Sequence, residues 1–409
     1  MENNDYLKDM LPKIEPYNTL DLTAKIAALQ LCPENADYIL RIEALAHAVN
    51  CISFNAEKPI TSRYRFTQFC IDPILESRIK VQEDPSPNPF TESITFFNGS
   101  YIVFPGQLMD PVFVIKQLFK SIFLSEQFSK DNIFLNRIYK FSSTVLWLSN
   151  EIANRAGLTR NLASKQNDGN IFIPLNMNNL QQAVIFNIEE TNNMLFEKKL
   201  SLNYLSPIIQ KDGNLTSDSY TIQDSPLHLS PIIDFGNEII ISEPSMLLAS
   251  LINQIMVFAK EYRIIDKLYD IYKHAISTSI SASFENFSYL PLPKKAFIKD
   301  ENDSINDSIW SIDSDKVIYS VIITDDFTDY NNNLFSDEVI KVDTDFFEQH
   351  FGEIEKQILT STENLQEVFF IVVIAGIGRN QFLGFNLEYI SHKASFLAIS
   401  VYDIDILSN

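Results

Sequence analysis

The sequence predicts a mixed α/β (α+β) protein: a helix-rich N-terminal region carrying a β-hairpin, followed by a C-terminal mixed sheet flanked by helices. Three observations carry that expectation. Within residues 131–156, Phe134, Ile138, Phe141, Val145, Leu148 and Ile152 recur in steps of four and three, the period of a helix with one buried face. Residues 93–97 and 100–104 flank Asn98-Gly99, a pair that tolerates the positive φ values of a tight hairpin turn. Over residues 264–402 the apolar pattern changes in the order helix, strand, strand, strand, helix, strand.

Element by element, residues 19–31 and 35–49 read as a helical pair, the second with Ile39, Ile42, Ala46 and Val49 at helical spacing. Pro85, Pro87 and Pro89 make residues 83–89 a loop, because each lacks a backbone donor and restricts its predecessor. After the hairpin of residues 93–104, Asp110 and Pro111 start a helix with Val112, Ile115, Phe119 and Ile122 inward. Gly157 stops the long helix that follows. Residues 170–175 suggest a strand, and Leu180, Val184, Ile188 and Leu195 a further helix. The polar stretch 211–226 places a domain boundary, giving a helix-rich region 1–225 and an α/β domain 226–409. Residues 227–241 then read as a hairpin turning at Gly236-Asn237, and Ser242-Glu243-Pro244 as the start of an apolar helix to residue 262.

In the last third, Ile264, Leu268, Ile271 and Ala275 line one helix face, ahead of candidate strands at 282–290, 308–312 and 316–324. Phe347, Phe351, Ile354 and Ile358 form the stripe of a crossover helix capped by Asp343 or Thr344. Residues 368–375 suit a strand buried on both faces, and 396–402 a last strand.

Composition bounds the function. The 409 residues suffice for two domains with cores of their own, and 31 phenylalanines among 45% hydrophobic residues argue for a globular chain. Fifty-three acidic against 32 basic residues leave a net charge of −21, which repels nucleic-acid backbones and anionic lipid surfaces. The pairs Lys198-Lys199 and Lys294-Lys295 read as solvated positions. Cys32, Cys51 and Cys70 lack metal-ligand spacing and read as reduced thiols; with no signal-peptide pattern and no apolar run long enough to span a bilayer, the expectation is a cytoplasmic protein without membrane attachment.

The order of elements over residues 264–409 resembles the PD-(D/E)XK nuclease-like superfamily, a restriction-endonuclease-like core. The resemblance implies an acidic residue at the end of the second strand, which Asp313 and Asp315 supply, and a Glu-x-Lys or Asp-x-Lys triplet on the third, which Val317-Ile318-Tyr319-Ser320-Val321-Ile322 does not contain. A displaced site would draw a magnesium or manganese ion to Asp313, Asp325 and Asp326, with Asp315 beside them and Lys316 or Lys341 standing in for the missing lysine.

Elsewhere, Gly376-Ile377-Gly378-Arg379 follows a buried strand and offers backbone amides and a guanidinium to an anion; Gln381 occupies the place of the third glycine of a dinucleotide fingerprint, so a turn between strands is the competing reading. His47, His228, His274, His350 and His392 form no zinc or hydrolase motif and read as surface or packing residues. The expected function is a non-catalytic interaction or sensor subunit, with a protein partner and no cofactor. The resemblance implies a bacterial setting such as antiphage defence. Two alternatives stand beside it: a divalent-metal nuclease with a displaced site, and a structural subunit of a secretion or phage-like assembly.

Overall fold

The computed structural model describes residues 5–72, 92–96, 99–103, 109–128, 132–158, 171–216, 225–298, 307–323, 344–374 and 394–400. The chain divides into two units, one of Met1–Val112 with Ile133–Phe258 and one of Phe113–Asn132 with Ala259–Asn409.

The first unit opens with helices Asp5–Ile14 (α1), Thr19–Gln30 (α2), Ile39–Asn50 (α3) and the single turn Arg63–Phe66 (α4). Asn18 caps α2 by accepting from Asp21 N at 3.2 Å. Helix α2 is buried on nearly every side, Lys25 and Gln30 included, and packs with α3 as its apolar spacing predicts. Strands Glu92–Phe96 (β1) and Gly99–Val103 (β2) form the expected hairpin with its register one residue earlier: Phe96 opposes Gly99, so the glycine lies in the strand and not in the turn. Met109–Phe123 (α5), most of which belongs to the second unit, begins before Asp110, and Asn132–Arg155 (α6), in the first, keeps the predicted stripe buried. Gly157, at φ +70°, ends α6 and lets Leu158 N reach back to Ala153 O at 2.9 Å.

Two expectations fail in the middle of the chain. Residues 171–174 form no strand, because the side chain of Asn35 takes both backbone groups of Phe172, donating to its O at 2.9 Å and accepting from its N at 2.7 Å. The single helix expected from Leu180 to Leu195 is two, Met177–Val184 (α7) and Ile188–Glu197 (α8), parted by strand Ile185–Asn187 (β3). Asn187 restarts the helix by accepting from Glu190 N at 3.1 Å. Strand Ile209–Lys211 (β4), the turn Pro226–Leu229 (α9), strands Ile232–Asp234 (β5) and Glu238–Ile241 (β6), and helix Leu247–Glu261 (α10) follow. The β5–β6 hairpin turns at Gly236, φ +94°, as expected. Its sheet has the order β3-β6-β5-β4, with only β4 and β5 parallel.

The second unit realises the predicted order of the last third. Helix Ile265–Asn286 (α11) leads to strands Leu290–Leu292 (β7), Asp307–Asp313 (β8) and Lys316–Ile323 (β9), helix Thr344–Ser361 (α12), and strands Glu367–Ile374 (β10) and Ala394–Ser400 (β11). The sheet order is β11-β10-β9-β8-β7: an antiparallel meander β7-β8-β9 continued by parallel β10 and β11. Residues 282–286 belong to α11 and not to the first strand. The hydroxyls of Thr278, Ser279 and Ser283 bond back to carbonyls four residues earlier at 2.9–3.0 Å, so residues that weaken a helix interior are satisfied inside one. Pro291 sits in β7, the sheet edge that tolerates a missing donor.

Alternation sorts the sheet's two faces. Ile309, Val317, Tyr319, Val368, Phe370 and Val372 share one face and pack with Phe351, Ile354 and Ile358 of α12. Trp310, on the other face, meets Phe284 of α11 edge-on at 5.3 Å. Burying each large apolar side chain contributes roughly 1.5–3 kcal/mol, so the three α12 residues hold that helix to the sheet with several kcal/mol.

Candidate functional site

The β8–β9 hairpin brings Asp313, Asp315 and Lys316 to one end of the second unit's sheet. Asp313 closes β8, opposes Lys316 in the ladder, and is exposed. Asp315 occupies the turn, where its carbonyl accepts Gln366 N at 2.8 Å and so fixes the start of β10. Lys316 Nζ lies 3.5 Å from Glu367 Oε2, and both side chains are about a third exposed, the setting of a weak surface pair. Here the aspartates shape a turn. Among the described residues no group of three His, Cys, Asp or Glu side chains could hold a metal ion. Asp325, Asp326 and Lys341, and the anion candidates Gly376, Gly378 and Arg379, lie outside the described residues.

A second polar cluster lies along the same sheet, and sequence reading missed it. Asp307 Oδ2 accepts from Tyr319 Oη and from Lys294 Nζ, both at 2.6 Å, with the Asp307 and Lys294 side chains 7% and 15% exposed. Lys294 is therefore not the solvated lysine expected. A nearly buried carboxylate held by an ammonium and a phenol is a charge-assisted bond that locks β8 to β9 and to the turn before them. Beside it, Ser308 and Ser320 join their hydroxyls at 2.7 Å and Trp310 Nε1 donates to Ser308 Oγ at 2.9 Å. The interior of β9 is thus filled: Val317, Ile318, Tyr319, Ser320 and Ile322 are all buried.

In the first unit, two histidines are packing residues with polar partners. His228 Nε2 is 2.7 Å from Glu43 Oε2, with both side chains at most 2% exposed. His47 Nδ1 lies 3.3 Å from Ser225 Oγ and its Nε2 3.0 Å from Thr216 O. A serine beside a histidine is the start of a nucleophile's arrangement. Ser225, however, is 2% exposed and its hydroxyl accepts Leu227 N to cap α9, so it serves as a cap sealed from substrate. Burial pushes the His47 pKa down, the neighbouring His228 adds to that, and the Thr216 carbonyl opposes it.

The three cysteines form no disulfide. Burial raises the Cys32 and Cys70 thiols to about 12 and Cys51 to about 11, so none supplies a thiolate near neutral pH. His274 lines an open cleft of about 820 Å³ between the end of α5 and α11, with Leu124, Ile271, Ala275 and Ala282 as its apolar wall. No helix among the described residues is long and apolar enough to cross a membrane.

Comparison of the chain with family models, with curated proteins and with solved structures finds no match.

Proposed function

We propose that the chain is a non-catalytic interaction or sensor subunit, its C-terminal sheet serving as a scaffold and not as a cutting centre. The observation that supports this reading is the interior of β9. Where metal-dependent hydrolysis needs a carboxylate and a lysine side by side, the strand presents Val317, Ile318, Tyr319, Ser320 and Ile322, all buried. Among the described residues, Asp307 is engaged with Lys294 and Tyr319, and Lys316 with Glu367. Such pairs hold strands together, and a carboxylate or ammonium spent in this way is not free to act on water or phosphate. A scaffold of this kind acts by binding, and the net charge of −21 directs it to protein partners ahead of nucleic acid.

The test is a cleavage assay of the full chain on single- and double-stranded DNA and RNA with magnesium and with manganese. The expected outcome is no metal-dependent turnover. Cleavage that disappears in Asp313→Ala would replace this reading with a nuclease whose site sits at the β8–β9 turn.

A further inference from the structure

The first unit holds a pocket of about 230 Å³ with a cation at its base. Lys25, on α2, is 8% exposed, and its ammonium donates to Asp21 Oδ2 at 2.7 Å and to Thr61 O at 2.5 Å. Asp21 Oδ2 also accepts Thr61 N at 2.8 Å, and the Gln181 amide lies 3.4 Å from Asp21 Oδ1. The carboxylate thus already accepts three protein donors, whereas an ammonium has three N–H groups and two are used. Arg63, the first residue of α4, lines the same pocket from an exposed position and spends one N–H on Ile173 O at 2.7 Å. Two cations against one carboxylate leave the pocket with one excess positive charge in a chain whose net charge is −21. At the mouth stand Ile60 and Leu175, which also line the pocket although 73% and 93% exposed.

This arrangement differs from an ordinary structural ion pair in two respects. The cation of a structural pair faces one carboxylate in packed surroundings, and here a second cation joins it around open volume. Exposed aliphatic side chains at the rim are costly to leave in water, and they are placed where the apolar arm of a ligand would lie. We propose that this pocket binds a small organic anion, an oxyanion head set between Lys25 and Arg63 with a short aliphatic arm over Ile60 and Leu175. The volume lies below the roughly 300–1,000 Å³ of drug-sized sites, which limits the ligand to the size of a short acid. The proposal concerns a different unit from the sheet and stands whether or not that sheet cuts nucleic acid.

Titration calorimetry of the full chain with hexanoate, hexyl phosphate and hexylamine tests it. Saturable binding of hexanoate or hexyl phosphate, and none of hexylamine, is expected; which of the two anions binds tighter identifies the head group. Arg63→Gln should weaken the anion at least about tenfold, the loss of one charge-assisted contact. Leu175→Asp, a change at a side chain 93% exposed, places a negative charge at the mouth and should weaken it by a similar factor in a protein that still folds. No saturable anion binding, equal binding of the amine, or affinity unchanged in either folded variant overturns the proposal.

Discussion

At His47, burial acts on the imidazole more strongly than any partner does. The ring is fully buried, and the cost of charging it there holds its pKa below the ordinary 6.5, with His228 nearby working in the same direction. The unfolded chain takes up a proton near 6.5 while the folded chain does not. Below that pH the unfolded state binds more protons, and stability falls as pH falls until the folded pKa is reached. The slope in that window is about 1.4 kcal/mol per pH unit for one group. Asp212 has the opposite sign: its carboxyl is raised by burial, against the Phe54 N–H that lowers it, so its contribution is lost as pH rises from the ordinary carboxylate value of 3.8. The two windows open at different pH values. Urea unfolding at pH 7.5 and 5.5 should therefore show a loss in the wild type that shrinks in His47→Gln; an equal loss in both would assign it to other groups.

Between α12 and the sheet, stability rests on aromatic packing. Phe351 is fully buried, 4.8 Å from Phe370 and 6.3 Å from Tyr319 between ring centroids. Truncation removes contacts on two strands at once, and Phe351→Ala should cost about 3–5 kcal/mol, read as a fall in denaturation midpoint with the unfolding slope unchanged. A cost below about 1 kcal/mol would mean that α12 does not dock as described. This helix was legible in the sequence because Phe351, Ile354 and Ile358 fall at helical spacing, as were the long helix of Phe134 to Ile152 and the order of the last third. What escaped depends on partners far away in the chain. Residues 171–174 have strand composition, yet the partner of Phe172 is the side chain of Asn35, 137 residues earlier. Ser and Thr in the tail of α11 weaken a helix pattern until their hydroxyls find carbonyls one turn back. The site divides the same way. Asp313, Asp315 and Lys316 are neighbours in sequence and fall together at one turn, whereas Asp307 needs the β8–β9 register and the turn at Lys294 to become part of a cluster. Lys25 gives no local sign, since a lysine within a helix normally reaches water.

For the molecule as a whole, the excess of 53 acidic over 32 basic residues sets a repulsion that no local contact removes. Ion pairs pull the other way with salt, but those with exposed partners, such as Arg155 with Glu151 and Lys316 with Glu367, are each worth about 0–1 kcal/mol and lose only part of that on screening. The nearly buried pairs Lys25–Asp21 and Lys294–Asp307 are screened far less. Twenty-one uncompensated charges outweigh surface pairs this weak, so added salt should stabilise the fold. Between 10 and about 200 mM ionic strength the Debye length shrinks from roughly 30 Å to below 10 Å, which separates most surface carboxylates electrostatically. The thermal midpoint should rise by about 2–4 °C for each kcal/mol of relieved repulsion. Sodium chloride and sodium sulfate at equal ionic strength should give the same rise if screening is the cause, because exclusion of sulfate from the surface would add a further increment. A midpoint that stays flat or falls with sodium chloride would mean that paired charges, and not the acidic excess, dominate the stability of the chain.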